Sequence, residues 1–479
     1  MNINPIQRQS LLTFGSLIAI MGFGYISTFY FAHYLGPAVL GSFFLFLAYY
    51  GIFDLIGDGG FGGAAVKRIS EGKFQNEYYS AYIILRIILL CLSIVVFIII
   101  SPALSEIQEN GLLFWLIIAL IVGTVYSITG TNLYGTAQVG ILQASSLVNT
   151  IIKILIQILA VFIGFGVGGL VAGFIVGMIA GVILNAKFLL LTFSRCDRSH
   201  FQGLLSFSIW TFLSSGGALI FTYADTILIG YFMTEADVGI YRVALQLASV
   251  ASFIVIAFHT VLYPRISKWH ADSNIMMIEQ ALKRSFTYSL FLAIPITAGG
   301  ILLSDKLMYF FYGALFESGG PVLVILLFVQ IANIFFYLQT MCLNAMNRPR
   351  ISFYITIISA VLNILLNIML IPPLGISGAA IASLVTMSMN AVLAYLVLKP
   401  SIKIEIDLQS VVNLAVSASS MSVFLVVYTY AFPIRSFIGL GLVICIGAII
   451  YLMVILKIDH SIRSDLKVLL DTMHLPFLP

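Results

Sequence analysis

The chain has 479 residues, 61% of them hydrophobic and 9% charged, with a mean hydropathy of +1.09. Water-soluble domains carry about a quarter charged residues, so a soluble fold that hides this much apolar surface is excluded. The net charge of +4 is small for the length, and its basic residues sit in short clusters between apolar runs, which argues against nucleic acid as a partner.

The first apolar run begins near Leu11 after a lone Arg8. It is too long for a signal-peptide core and lacks a small-residue cleavage site, so a retained helix is expected. A helix needs about 20 apolar residues to cross a bilayer. Such runs occupy 10–33, 39–56, 79–101, 112–134, 143–164 and 167–190, then 206–232, 237–262, 285–303, 320–343, 351–371 and 375–398, and finally 409–430 and 434–456. Lipid offers no partner to an unpaired backbone group, and these runs are too long and too evenly apolar for barrel strands. The expected fold class is therefore all-α integral membrane with 14 transmembrane helices.

Orientation follows from the basic residues. Of the 23 Lys and Arg, three fall deep inside spans (Arg86, Lys153, Arg242), Lys306 and Arg435 fall in loops on one face, and the remaining eighteen fall at or beyond the span ends on the other. That bias places both termini in the cytoplasm, in a plasma or inner membrane. The loops on the outer face are too short for an extracytoplasmic catalytic domain.

An internal repeat organises the spans. Tyr34-Leu35-Gly36-Pro37-Ala38-Val39-Leu40-Gly41 after the first span matches the segment from Tyr231 to Tyr241 after the seventh, and Lys67-Arg68-Ile69-Ser70 matches Pro264-Arg265-Ile266-Ser267, both at an offset of 197 to 198. Farther along, Gly166-Val167-Gly168-Gly169-Leu170-Val171-Ala172 matches Gly375-Ile376-Ser377-Gly378-Ala379-Ala380-Ile381 at an offset of 209. The added residues fit the stretch from Trp269 to Lys283, read as an interfacial amphipathic linker. An even number of spans per copy gives two like-oriented six-helix lobes about a pseudo-twofold axis, enclosing a central cavity. The expected organisation is an N-terminal lobe (1–192), a C-terminal lobe (193–400), an extra helix pair (401–457) and a cytoplasmic tail (458–479).

Charges inside spans are costly and are functional candidates. Arg86 lies about 10 Å into the third span at a rise of about 1.5 Å per residue, and Asp54 and Asp58 close the second span at a similar level. Arg86 either pairs with Asp54, snorkels to the interface, or meets a ligand. Lys153 is too deep to snorkel easily and is assigned to a cavity. Asp225 and Arg242 lie at similar depth in consecutive spans, either as a packing pair or with Asp225 in ion coupling. Arg86, Lys153 and Arg242 together form a ladder of cations suited to an anionic substrate. The glycines Gly166, Gly168, Gly169, Gly173 and Gly177 are read as helix-packing positions.

Gly57-Asp58-Gly59-Gly60-Phe61-Gly62 satisfies G-x-G-x-x-G, but no strand precedes it, so it is not read as a dinucleotide site. With no Gly-Lys-Ser or Gly-Lys-Thr, a nucleotide-driven motor is not expected. Cys91, Cys196, Cys342 and Cys445 are widely spaced and indicate neither a disulfide framework nor a metal site. No cofactor is expected.

The Tyr34-Leu35-Gly36-Pro37 turn with Gly41, Asp58-Gly59 with Lys67-Arg68, Asp225 with Val238-Gly239-Ile240-Tyr241, Tyr263-Pro264-Arg265-Ile266-Ser267, and Leu374-Gly375-Ile376-Ser377-Gly378-Ala379-Ala380 resemble the polysaccharide-biosynthesis flippases. These are Wzx-like O-antigen transporters of the multidrug/oligosaccharidyl-lipid/polysaccharide (MOP) superfamily. The resemblance spans about the first 400 residues. It implies a MATE-like, alternating-access transporter, not an enzyme, that moves a polyprenyl-diphosphate-linked oligosaccharide across the membrane, with H+ or Na+ as the candidate coupling ion. Under it, Arg86, Lys153 and Arg242 are the substrate-binding residues, and Asp225 and Asp54 are ion-coupling residues or members of structural pairs. His33 stands where family members often carry Arg, which weakens transfer of a substrate contact to that position. A drug/cation antiporter would centre on acidic residues, which intramembrane cations outnumber here, and a glycan polymerase or ligase would need a large outer loop.

Overall fold

The computed structural model describes residues 5–104 and 111–464, and among them every regular element is helical. Twelve helical stretches within those residues are long and apolar enough to cross a membrane. The described residues fall into two compact units, divided between Arg242 and Val243.

The first unit contains α1 (Pro5–Asp58), α2 (Phe61–Ser70), α3 (Gln75–Ile100), α4 (Leu112–Gly135), α5 (Val139–Phe162), α6 (Val167–Ala186), α7 (Arg198–Phe232) and the first part of α8 (Glu235–Ala248). The first two expected spans are the two helical arms of α1, separated by a kink at Gly36 (φ 75°), which is followed by Pro37. Glycine adopts that left-handed φ without a Cβ penalty, and proline pre-sets φ for the helical arm that follows. The apolar stretch Ile18–Asp58 has 41 residues, about 60 Å of helix at 1.5 Å per residue, twice a hydrocarbon core of about 30 Å. Helix α7 contains the apolar stretch Leu219–Phe232.

Helix α3 shows how these helices sort their side chains. Ile88, Leu92, Val95 and Ile99 are turned outward, while Tyr82, Arg86, Ser93 and Phe97 are buried. The outward side chains are apolar and the polar ones are turned in, the arrangement a lipid solvent selects.

The second unit holds the rest of α8, then α9 (Phe253–Ala271), α10 (Ile275–Tyr312), α11 (Gly320–Ala345), α12 (Pro349–Leu374), α13 (Ile376–Leu398), α14 (Leu408–Ala431) and α15 (Phe437–Ile458). Helices α11, α12 and α13 start 208, 210 and 209 residues after α4, α5 and α6. Just as α6 packs on α5 and α4, α13 packs on α12 and α11. The stretch from Trp269 to Lys283 is not a separate surface helix. Helix α9 runs on to Ala271, Ser273 takes φ 55°, and the Asn274 side chain caps α10 by accepting from the Met277 amide. With no breaker between Ile275 and Pro295, the helix propagates from that cap into the span.

The last helices are tied at one end by Asp459, 3% exposed, whose carboxylate accepts from Asn413 Nδ2 and from the Ile462 amide, each at 3.0 Å. Burial pushes its carboxyl up, and hydrogen bonds from Ile462, Asn413, Ser410 and Ser461 outweigh that and hold it below its ordinary value. A carboxyl depressed in the folded state stabilises wherever its unfolded counterpart is ionised. That contribution is complete above the unfolded value near 4 and is lost as pH falls through the lower folded one. Asp459→Ala is expected to cost about 1–3 kcal/mol at neutral pH and to flatten the acid limb of the melting profile. An acid limb identical to that of the unsubstituted protein would count against this role.

Candidate functional site

The charged cluster in the first unit is built by a helix break. Gly59 and Gly60 take φ values of 57° and 77°, which ends α1 at Asp58 and starts α2 at Phe61. A Cβ at Gly60 would collide with the Ser208 carbonyl and the Phe212 amide of α7. The G-x-G-x-x-G stretch is therefore a glycine turn packed on a helix. The break leaves Asp54 and Asp58, one turn apart, facing α3.

Arg86 lies between them. Its guanidinium ion-pairs with the Asp54 carboxylate, donates to the Asp54 carbonyl at 2.9 Å and stands 3.7 Å from Asp58 Oδ1. Its side chain is 0% exposed, whereas those of Asp54 and Asp58 are 31% and 23% exposed. Asp58 also accepts from the Gly62 amide at 3.2 Å, and the Tyr82 hydroxyl lies 3.1 Å from that of Ser127. The trio carries a formal charge of −1, and its reachable atoms are carboxylate oxygens rather than the guanidinium. In this geometry Arg86 braces acids and does not present a cation.

Lys153 differs. It sits on α5 with no acidic side chain within ion-pair distance among the described residues. Helix α6 approaches closely because Gly169, Gly173, Gly177 and Gly181 recur every four residues. A Cβ at Gly173 would meet Gln157 and the Lys153 carbonyl, and one at Gly177 would meet Asn149 and the Lys153 Cβ. Gly166 and Gly168, by contrast, face open space.

Asp225 and Arg242, the third candidate pair, make no ion pair with each other within 4.0 Å among the described residues. Asp225, 7% exposed, accepts from the Tyr241 hydroxyl at 2.6 Å. Arg242 instead donates to the Thr222 carbonyl at 3.4 Å, with its guanidinium carbon 5.5 Å from the Phe44 ring centroid and 5.7 Å from that of Tyr223. Two aromatic faces hold a cation without neutralising it.

The repeat-related turns meet directly. A Cβ at Gly41 would enter the Glu235 carbonyl, and one at Gly239 would enter the Pro37 carbonyl. An offset of 198 carries Pro37 to Glu235 and Gly41 to Gly239, so the two contacts are the same contact exchanged. The Ser42 hydroxyl also donates to Glu235 Oε2 at 2.7 Å.

A search for charges alone overlooks a neutral polar ladder in the second unit. Asn363 (1% exposed), Asn367 (0%), Thr386 (0%) and Asn390 (1%) are buried along α12 and α13. Asn367 Nδ2 donates to the Asn363 carbonyl at 2.9 Å, and Asn363 Nδ2 reaches Thr386 Oγ1 at 3.4 Å. Asparagines four residues apart inside an apolar span, followed by a Thr and Asn at the same spacing in the next, are the sequence signal for it.

Comparison with known proteins follows the same lines. The chain is 28% identical over 454 residues to the probable low-salt glycan biosynthesis flippase Agl15 of Haloferax volcanii, an alignment covering 93% of this chain and 94% of that protein. Among solved structures it resembles the lipid II flippase MurJ in an inward closed conformation, with a TM-score of 0.79 at 18% identity over 95% of this chain and 99% of that one. An inward-facing multidrug resistance MATE family transporter of the MOP superfamily gives a TM-score of 0.64 at 16% identity over 79% and 93%. The fold is thus MurJ- and MATE-like. Residues 211–369 match the MatE family. The match to the polysaccharide biosynthesis protein family runs over residues 6–270, more than half of the chain, and the chain belongs to that family.

Proposed function

We propose that this protein flips a polyprenyl-diphosphate-linked oligosaccharide from the cytoplasmic to the outer leaflet by alternating access, in the synthesis of a cell-surface polysaccharide or glycan. The family and the names of its relatives, glycan and lipid II flippases, support the reading. The observation that carries it is Lys153, a cation on a membrane helix with no carboxylate partner among the described residues, a charge that a diphosphate would neutralise. Arg242, cradled by Phe44 and Tyr223, is the second substrate cation. Arg86 joins the site indirectly by orienting Asp54, and Asp54 and Asp225 are the candidates for coupling to H+ or Na+.

The exchanged contact of the two glycine turns supports two like-oriented lobes, 1–192 and 193–400. Counting the arms of α1 as separate crossings, and α7 as a further one, raises twelve to fourteen, with both termini cytoplasmic. The pair α14 and α15 then follows the lobes, and the chain works as a transporter rather than an enzyme.

Lys153→Ala and Arg242→Ala, at matched membrane levels, are each expected to reduce glycan export by about tenfold or more, the loss of roughly one charge-assisted contact. Normal export by both variants would overturn the site assignment.

A further inference from the structure

The start of α10 differs from the rest of that helix. Gln280, Lys283, Arg284, Thr287 and Tyr288 recur at i, i+3, i+4, i+7 and i+8, so they form one stripe. The stripe lines a pocket of about 300 Å³. Asp407 and Ser410 at the start of α14, and Ser461 beyond α15, close the other side. Lys283 Nζ stands 3.7 Å from Asp407 Oδ2, while Arg284 makes no ion pair among the described residues. Two cations and one acid leave the wall with a formal charge of +1.

Deeper along the same helices the lining changes character. Phe291, Pro295 and Gly299 of α10, Met421 and Leu425 of α14 and Tyr451 of α15 border an apolar cavity of about 390 Å³. Phe291 lies seven residues past Arg284, about 10 Å along the helix. The polar pocket is thus at the end of the spans where basic residues gather, and the apolar cavity lies at membrane depth. A free phosphate matches the first feature alone. A phosphate that carries hydrocarbon chains matches both.

We infer that this pocket binds the phosphate of an anionic glycerol-phosphate lipid of the surrounding leaflet, with its chains lying against the apolar cavity. Arg284 and Lys283 hold the phosphate, and the bound lipid braces α14 and α15 against α10. The ligand is a resident of the membrane, separate from the transported glycan lipid, so its absence would leave the transport reading intact.

The test uses the purified, delipidated full-length protein, with bound lipid read by native mass spectrometry and stability by thermal melting. Phosphatidylglycerol vesicles are expected to leave one retained lipid per chain and to raise the melting temperature by several degrees. Phosphatidylcholine vesicles and inorganic phosphate are expected to do neither. The double variant Lys283→Gln with Arg284→Gln is expected to lower phosphatidylglycerol retention about tenfold, whereas Lys399→Gln, a surface charge outside the pocket, retains it fully. The exposed Arg284→Gln alone serves if the double variant fails to fold, with a smaller loss in the same direction. The proposal is overturned by equal retention in the pocket variants, by equal retention of phosphatidylcholine, by a melting shift reproduced with inorganic phosphate, or by displacement of the retained lipid by a polyprenyl diphosphate.

Discussion

Arg86→Met is expected to destabilise the protein by about 3–5 kcal/mol, the usual consequence of removing one partner from a buried charge cluster. The guanidinium is fully enclosed and serves the Asp54 carboxylate, the Asp54 carbonyl and Asp58 at once. Without it two carboxylates one turn apart remain inside the membrane with no cation between them. The Asp54→Asn and Asp58→Asn changes, added to Arg86→Met, are expected to restore much of the stability, because the orphaned charges are then gone. Melting of the purified proteins measures this. Wild-type melting in Arg86→Met would show that the cluster does not hold the helices, and transport loss at full stability would return Arg86 to the substrate.

Gly41→Ala and Gly239→Ala are expected to have equivalent effects, each costing about 1–3 kcal/mol by overpacking and each slowing transport. In both the added methyl meets a carbonyl oxygen of the opposite turn, Glu235 for Gly41 and Pro37 for Gly239. Backbone atoms cannot swing away as a flexible side chain does, so the turns must separate. Because the substitutions act on one interface, the double variant should cost less than the sum of the singles. Strictly additive losses in melting temperature would mean that the contacts are independent.

What the sequence made legible was the part set by lipid. Long apolar runs and their flanking charges mark the helices, and a charge inside such a run marks itself, so the similar depth of Arg86 and Asp54 was readable while their pairing stayed one alternative among three. Depth does not give direction around a helix axis. Asp225 and Arg242 share a level, yet the former turns to Tyr241 and the latter to Phe44 and Tyr223. The break between the first two spans was legible because Gly36 followed by Pro37 marks a change of chain direction, and the structure kinks at Gly36. The amide ladder of Asn363 and Asn367 escaped because neutral polar residues scarcely alter a hydropathy profile, although burial makes each depend on its partners.

Under the proposed function, leaflet crossing of a lipid-linked glycan depends on this chain. The direct measurement is reconstitution into liposomes loaded with polyprenyl-diphosphate-linked oligosaccharide on one leaflet, followed by the appearance of its sugar on the other. The predicted result is crossing that scales with the amount of protein and falls by about tenfold or more in Lys153→Ala, a variant that breaks no ion pair among the described residues. Crossing at the protein-free rate, with the chain folded and inserted, would contradict the account.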